Sequence, residues 1–70
     1  MIDMKKTGKQ IHNLIILNGF TIGEISDYMG FSSNRSVYKW LSGQTLPSLD
    51  SLVLLSDLMK VPVDELIIRQ

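Results

Sequence analysis

The stretch TIGEISDYMGFSSNRSVYKWLSG, residues 21–43, decides the fold of this 70-residue chain. Thr21 and Glu24 have the spacing of a capping box, in which each side chain satisfies an open backbone group at the start of a helix. Gly30 ends that helix, because glycine adopts positive φ without steric cost. A second run of helical periodicity follows a short turn, so the stretch predicts two helices in close succession.

The second of these helices has two different faces. At about 100° per residue, Val37, Trp40 and Leu41 fall on one side. The opposite side, called the polar face below, carries Asn34, Arg35, Tyr38 and Lys39. We expect the apolar side to anchor the helix against the rest of the chain and the polar face to point outward.

The chemistry of the polar face suits double-stranded DNA. Arg and Lys can bond the edge of guanine, and Asn can bond the edge of adenine. Acidic residues are absent between Asp27 and Asp50, whereas an ordinary solvated surface, the alternative interpretation, also carries Glu. Two helices joined by a short glycine-containing turn form a helix-turn-helix, whose second helix can enter the major groove.

The remaining sequence predicts three more short helices. The first helix is expected at about 7–18 and the second from the Thr21 cap to about Met29. The third is expected from Ser32 or Ser33 to about Ser42. The fourth is expected from the Ser48 cap to the break at Val61-Pro62, and the fifth at about 63–68. Thr7 is the expected N-cap of the first helix. Leu49 is the first of the apolar residues that are expected to be buried on the fourth helix. We therefore expect an all-α fold with a single domain over residues 7–70 and a flexible N-terminus over residues 1–6.

The composition argues against several other functions. The chain has no Cys and one His, His12, so no residues have metal-ligand spacing, and we expect no metal and no cofactor. Without a Gly-rich phosphate loop or room for a cleft, we expect neither an enzyme nor a small-molecule substrate. The apolar run at residues 14–17 is too short to cross a membrane or to form a signal peptide, which predicts a cytoplasmic protein.

Charge is distributed unevenly although the net charge is zero. Residues 1–45 carry five basic and three acidic residues, whereas residues 46–70 carry two basic and four acidic ones. The mild excess of positive charge thus falls on the half that contains the polar face.

Residues 8–67 resemble the Cro-like (XRE) helix-turn-helix family of phage and bacterial repressors. The resemblance is carried by Thr21, Glu24, Ile25, Gly30, Ser32, Val37, Trp40, Gly43, Pro47, Leu52 and the closing VPVDEL. It implies a lambda-repressor-like bundle of five helices with the helix-turn-helix at the second and third. It also implies a sequence-specific regulator of transcription that binds double-stranded DNA, often as a homodimer on a palindromic site.

The resemblance also assigns roles to individual positions. It places base reading on Asn34, Arg35 and Lys39. Contacts to the DNA backbone, or auxiliary contacts, are expected from Thr21, Ser33, Ser36, Tyr38, Gln44 and Thr45. The backbone amides of residues 43–45 are expected to face phosphates as well.

The sequence departs from the family pattern at several positions. Ile22 stands where many members have a Gln that touches a phosphate, and Ser26 stands where Ala is common. The turn before Val37 is one residue longer than usual. Ile15 and Leu41 replace a frequent Arg and Glu pair; because two apolar side chains avoid the desolvation cost of an ion pair, we expect these two to touch.

A protein-interaction module on the same fold is the alternative function. An antitoxin-like or co-regulator role would use apolar side chains that the core does not need. The candidates are Ile16, Val53, Leu54 and Ile68, which in the plainer interpretation only complete a small core.

Overall fold

The protein is a bundle of four α-helices and one turn of 3-10 helix. The structure, a computed structural model, describes residues 1–70. The elements are α1 (Met4–Leu17), α2 (Ile22–Met29), α3 (Arg35–Ser42), α4 (Leu49–Met59) and the 3-10 turn Val63–Glu65. The all-α class is confirmed, and none of the helices has the length and apolar character that crossing a lipid bilayer requires.

The predicted fifth helix over 63–68 is wrong in type and length. The N–H groups of Glu65 and Leu66 bond carbonyls three residues back, at Pro62 and Val63, which makes a single 3-10 turn. The backbone then becomes extended, and Arg69 forms an isolated antiparallel β-bridge with Ile2. Pairing with the N-terminal residues thus replaces further helix.

The start of α1 lies three residues before the predicted one. Asp3 caps the helix, since its Oδ1 accepts a hydrogen bond of 2.9 Å from the N–H of Lys6. Residues 4–6, which the sequence assigns to a flexible terminus, therefore form the first helical turn. Thr7, the predicted cap, is instead buried in the second turn.

Thr7 holds the C-terminal segment against α1. Its Oγ1 accepts a hydrogen bond of 3.0 Å from the N–H of Ile68 and donates one of 3.3 Å to the Ile68 carbonyl. The same carbonyl accepts the N–H of Asp3 at 2.8 Å. The Thr7 hydroxyl thus pairs with the backbone of Ile68, which is distant in sequence. Helical periodicity does not predict such a contact.

Eight apolar side chains form the core between the helices: Ile11, Ile15, Ile25, Val37, Trp40, Leu55, Met59 and Leu66. Val37 and Trp40 were expected in the buried core, and this is confirmed. Leu49 was also expected there, and this is wrong: it is 74% exposed, because it is the first residue of α4 and stands at the end of the buried stripe. Leu41 is half-buried against the core that contains Ile15, and their direct contact stays a prediction.

The backbones of α1 and α3 approach each other directly at Gly8. A Cβ atom on Gly8 would lie 2.4 Å from the carbonyl oxygen of Trp40 and 2.6 Å from that of Leu41. Both atoms belong to the α3 backbone and cannot rotate away. The absence of a side chain at Gly8 therefore sets how closely α1 and α3 pack.

Replacing Ser26 by alanine is expected to raise the free energy of unfolding by about 0.5–1.5 kcal/mol. The Ser26 hydroxyl is buried in α2 and has no hydrogen-bond partner, so its removal loses no bond and improves helix propensity. Urea unfolding followed by circular dichroism measures the change.

Ser56→Ala is the matched control in α4. The Ser56 hydroxyl donates to the carbonyl of Val61, so this variant should be less stable than the wild type. A loss of stability in Ser26→Ala of the same size as in Ser56→Ala would contradict an unpaired hydroxyl.

Candidate nucleic-acid interface

The helix that precedes the candidate interface is fixed at both ends. At the start of α2, Thr21 Oγ1 accepts the N–H of Glu24 at 3.1 Å, and the N–H of Thr21 donates to Glu24 Oε1 at 2.8 Å. At its end, Gly30 has a φ of 79°. The predicted capping box and glycine stop are confirmed, so the direction of α2 and of the following turn is defined by local sequence.

The turn between α2 and α3 is anchored by an aromatic contact. Phe31 is half-buried, and its ring meets that of Trp40 edge-on, with centroids 5.7 Å apart and an angle of 70° between the planes. The backbone N–H of Phe31 also donates to the carbonyl of Ser26 at 2.9 Å. This longer turn is therefore packed onto the bundle and holds the start of α3.

Helix α3 begins at Arg35, slightly later than predicted. Asn34 occupies the N-cap position, is half-buried and makes no capping hydrogen bond through its side chain. Ser33, the predicted cap, accepts the N–H of Arg35 only at 3.4 Å. Asn34 thus precedes the first residue of α3, and its side-chain amide makes no capping hydrogen bond.

The two predicted faces of α3 are confirmed except at Asn34, which precedes the helix and is half-buried. Val37 is fully buried and Trp40 is 5% exposed, so this side anchors the helix in the core. The opposite side exposes Arg35, Tyr38 and Lys39, and Ser36 is exposed beside them. No acidic residue lies in α3, so the exposed side is cationic.

The end of α3 lies against the start of α1. Gly43 has a φ of 80°, and a Cβ there would lie 2.9 Å from the Cα of Lys5. Lys5 is exposed, so this contact places a residue with a third exposed cation beside the C-terminal end of α3. Sequence reasoning missed this neighbour, since nothing in the local pattern indicates which part of α1 meets Gly43.

The loop after α3 does not offer the free amides that were expected. The N–H of Gly43 donates to the carbonyl of Trp40 at 3.1 Å, and those of Gln44 and Thr45 donate to the carbonyl of Lys39 at 3.0 and 3.4 Å. All three amides thus close the C-terminus of α3. Only the side chains of Gln44 and Thr45, which are exposed, remain available to a partner.

The start of α2 leaves backbone donors at the surface. The N–H groups of Ile22 and Gly23 have no helical carbonyl four residues back to bond, as at every helix start. The Ile22 side chain packs against the core and cannot replace the family's Gln. A phosphate at this point would be bound by backbone groups and by the hydroxyl of exposed Thr21.

No three His, Cys, Asp or Glu residues come together as ligands. The exposed groups of α3 and its flanking loop are hydroxyls, amides and cations, which form hydrogen bonds and neutralise anions.

Helices α2 and α3 form a helix-turn-helix whose second helix exposes cations and buries its opposite side, which is the arrangement found in helix-turn-helix DNA-binding proteins. Comparison with protein families agrees. The helix-turn-helix family model matches residues 11–66, and the chain belongs to that family.

Among solved structures, the chain is similar to the restriction-modification controller protein C.AhdI from Aeromonas hydrophila. The TM-score is 0.79 and the sequence identity is 22%, over 91% of this chain and 96% of that one. This similarity extends the agreement in fold to almost the whole chain. No curated protein matches in sequence.

Proposed function

We propose that the protein regulates transcription by binding a specific sequence of double-stranded DNA with α3 in the major groove. One observation carries the proposal: α3 buries Val37 and Trp40 and turns Arg35, Tyr38 and Lys39 to solvent. In a helix-turn-helix, that exposed side is the one that meets base edges. The family of the chain supports the same class of function.

The contacts divide into base reading and positioning. Arg35 and Lys39 lie one helical turn apart and are the proposed base readers, with Asn34 at the entrance of α3 as the third. The proposed backbone or auxiliary contacts are Thr21, Ser33, Ser36, Tyr38, Gln44 and Thr45. Lys5 joins them as a phosphate contact, because it lies against the end of α3.

A homodimer on a palindromic site completes the proposal. Leu49 and Val53 are one turn apart on α4 and are 74% and 46% exposed, so α4 carries an apolar strip that nothing in the chain covers. A two-fold dimer through this strip would present two copies of α3 to successive half-sites. Control of a restriction-modification system, the role named for C.AhdI, is one regulatory setting that this proposal admits.

Selection of bound duplexes from a random pool tests sequence specificity. We expect enrichment of an inverted repeat whose half-sites lie about one helical turn apart. Enrichment of a single half-site would contradict the dimer alone. Failure to enrich any motif at low salt would contradict sequence-specific binding.

Replacing Val53 by aspartate is expected to convert a dimer to a monomer. The new carboxylate would be buried without a partner at the interface, whereas in the free chain Val53 is exposed enough to tolerate it. Sedimentation velocity measures the change, and circular dichroism checks the fold. Ile16→Asp, at a 59% exposed position on α1, is the matched control and should leave the dimer intact.

The alternative function, a protein-interaction module, would use the apolar candidates Ile16, Val53, Leu54 and Ile68. Ile16 and Val53 are exposed, whereas Leu54 and Ile68 are half-buried. A wild-type chain that stays monomeric at every concentration and enriches no duplex would favour this alternative. A dimer that dissociates with Ile16→Asp and not with Val53→Asp would move the interface to α1.

A further inference from the structure

One open groove lies between α2 and α4, beside the helix-turn-helix. It is widely open to solvent, has a volume of about 430 Å³ and is lined by Phe20, Glu24, Asp27, Tyr28 and Leu58. Its volume falls within the range of small-ligand sites. No other groove of this kind occurs on the surface of the chain.

The lining combines an apolar floor with a negative rim. Phe20, Tyr28 and Leu58 supply two aromatic rings and an aliphatic side chain, whereas Glu24 and Asp27 supply two carboxylates. No Lys or Arg belongs to the lining, so the negative charge is not balanced within the groove. Two carboxylates three residues apart on a helix repel each other, and a cation between them would relieve that repulsion.

One carboxylate of the lining is held by the N-terminal cap of α2. Glu24 Oε1 accepts the N–H of Thr21 at 2.8 Å, which fixes the carboxylate and leaves its second oxygen outside the cap. Tyr28 is 47% exposed and lies one turn after Glu24 on the same side of α2. A ligand would therefore meet one carboxylate, that of Glu24, which the helix cap already holds in place.

We propose that this groove binds a small organic cation, with an ammonium, amidinium or guanidinium head on an apolar body. The head lies between the carboxylates of Glu24 and Asp27 and against the face of Tyr28, where Coulomb attraction and the ring quadrupole both favour positive charge. The apolar body covers Phe20 and Leu58. No residue of α3 belongs to the lining, so the groove is distinct from the side of α3 that carries the proposed base readers.

Benzamidinium is the probe, and benzamide is its neutral control of the same shape. In an amide ¹H–¹⁵N titration of the full chain, we expect saturable shifts centred on residues 20–28 and Leu58, with a dissociation constant of about 1 mM. Benzamide should bind at least about fivefold more weakly, since it lacks the charge. Equal binding of the two molecules, or shifts scattered over all surface carboxylates, would overturn the proposal.

Variants locate the site. Asp27→Asn should raise the dissociation constant of benzamidinium about fivefold, and Tyr28→Leu about threefold. Asp64→Asn removes an exposed carboxylate outside the groove. It should change the dissociation constant of benzamidinium less than twofold, because salt screens the charge of a distant surface residue. Equal effects of Asp27→Asn and Asp64→Asn would overturn the site.

The cation could belong to a small ligand or to an arginine side chain of a partner protein. Binding of a blocked arginine amide, which mimics such a side chain, distinguishes the two. The proposal predicts weaker binding of this amide than of benzamidinium. Tighter binding of the arginine amide would overturn the small-ligand form and assign the groove to a partner protein.

Discussion

Replacing Gly8 by alanine is expected to lower the free energy of unfolding by about 2–4 kcal/mol. The new methyl group would lie 2.4 Å from the Trp40 carbonyl oxygen and 2.6 Å from that of Leu41, so α1 and α3 must separate. The gain in helix propensity from Gly to Ala, about 1 kcal/mol, offsets only part of this cost. Since a domain of this size has a total stability of about 4–10 kcal/mol, the loss is a large fraction.

Gly23→Ala is the control for the same substitution in another helix. A Cβ at Gly23 meets nothing closer than the Thr21 hydroxyl at 3.9 Å, so this variant should be as stable as the wild type or up to about 1 kcal/mol more stable. Urea unfolding followed through the fluorescence of Trp40, which is buried, measures both variants. Equal stability of Gly8→Ala and Gly23→Ala would show that α1 and α3 do not touch at Gly8.

Replacing Arg35 by alanine is expected to weaken binding of the selected duplex by about 1–3 kcal/mol, which is roughly five- to 150-fold. Arg35 is exposed in the first turn of α3, so its guanidinium is free to bond a base edge, and its removal leaves the core untouched. Fluorescence anisotropy at fixed salt measures affinity, and an unchanged unfolding curve verifies the fold. Lys39→Ala should show a loss of the same kind one turn later.

Arg69→Ala removes the same charge outside α3. Arg69 is exposed near the C-terminus, so this variant should reduce affinity for all duplexes slightly and equally. Arg35→Ala should instead reduce the preference for the selected sequence over a scrambled one. If both variants lose affinity to the same extent on both duplexes, Arg35 only neutralises phosphates and reads no base.

The helix-turn-helix could be predicted from sequence because its signals are local. The capping box of Thr21 and Glu24, the stop at Gly30 and the two faces around Val37 each depend on residues within a few positions of one another. Such short-range patterns predict the structure well, because the side of the helix that packs into the core is the apolar side that the periodicity already defines. The exposure of Arg35 and Lys39 followed from the same pattern.

The features that sequence reasoning missed depend on distant partners. Asp3 and Thr7 are both acceptable caps, and only the pairing of Thr7 with Ile68 decides between them. Gly8 and Lys5 gain their importance from contacts with α3 about 35 residues away. Leu49 satisfies the helical period of α4 yet lies beyond the part of the helix that the bundle covers.

The candidate interface was predictable in outline and not in its details. The exposed side of α3 was expected, but the position of Asn34 as N-cap and the internal use of the loop amides follow from where α3 begins and ends. Helix ends often differ by a residue or two from those that a local pattern predicts. The contact of Phe31 with Trp40, which anchors the turn before α3, is not part of that local pattern.

Amide chemical-shift mapping with a short DNA duplex tests the central claim most directly. The claim is that the exposed side of α3 is the surface that meets DNA. We predict that the largest shifts fall on residues 33–39, with smaller ones at the start of α2 and at residues 43–45, and that the 3-10 turn Val63–Glu65 changes little. Largest shifts on α4 or in the α2–α4 groove, with α3 unchanged, would contradict the claim.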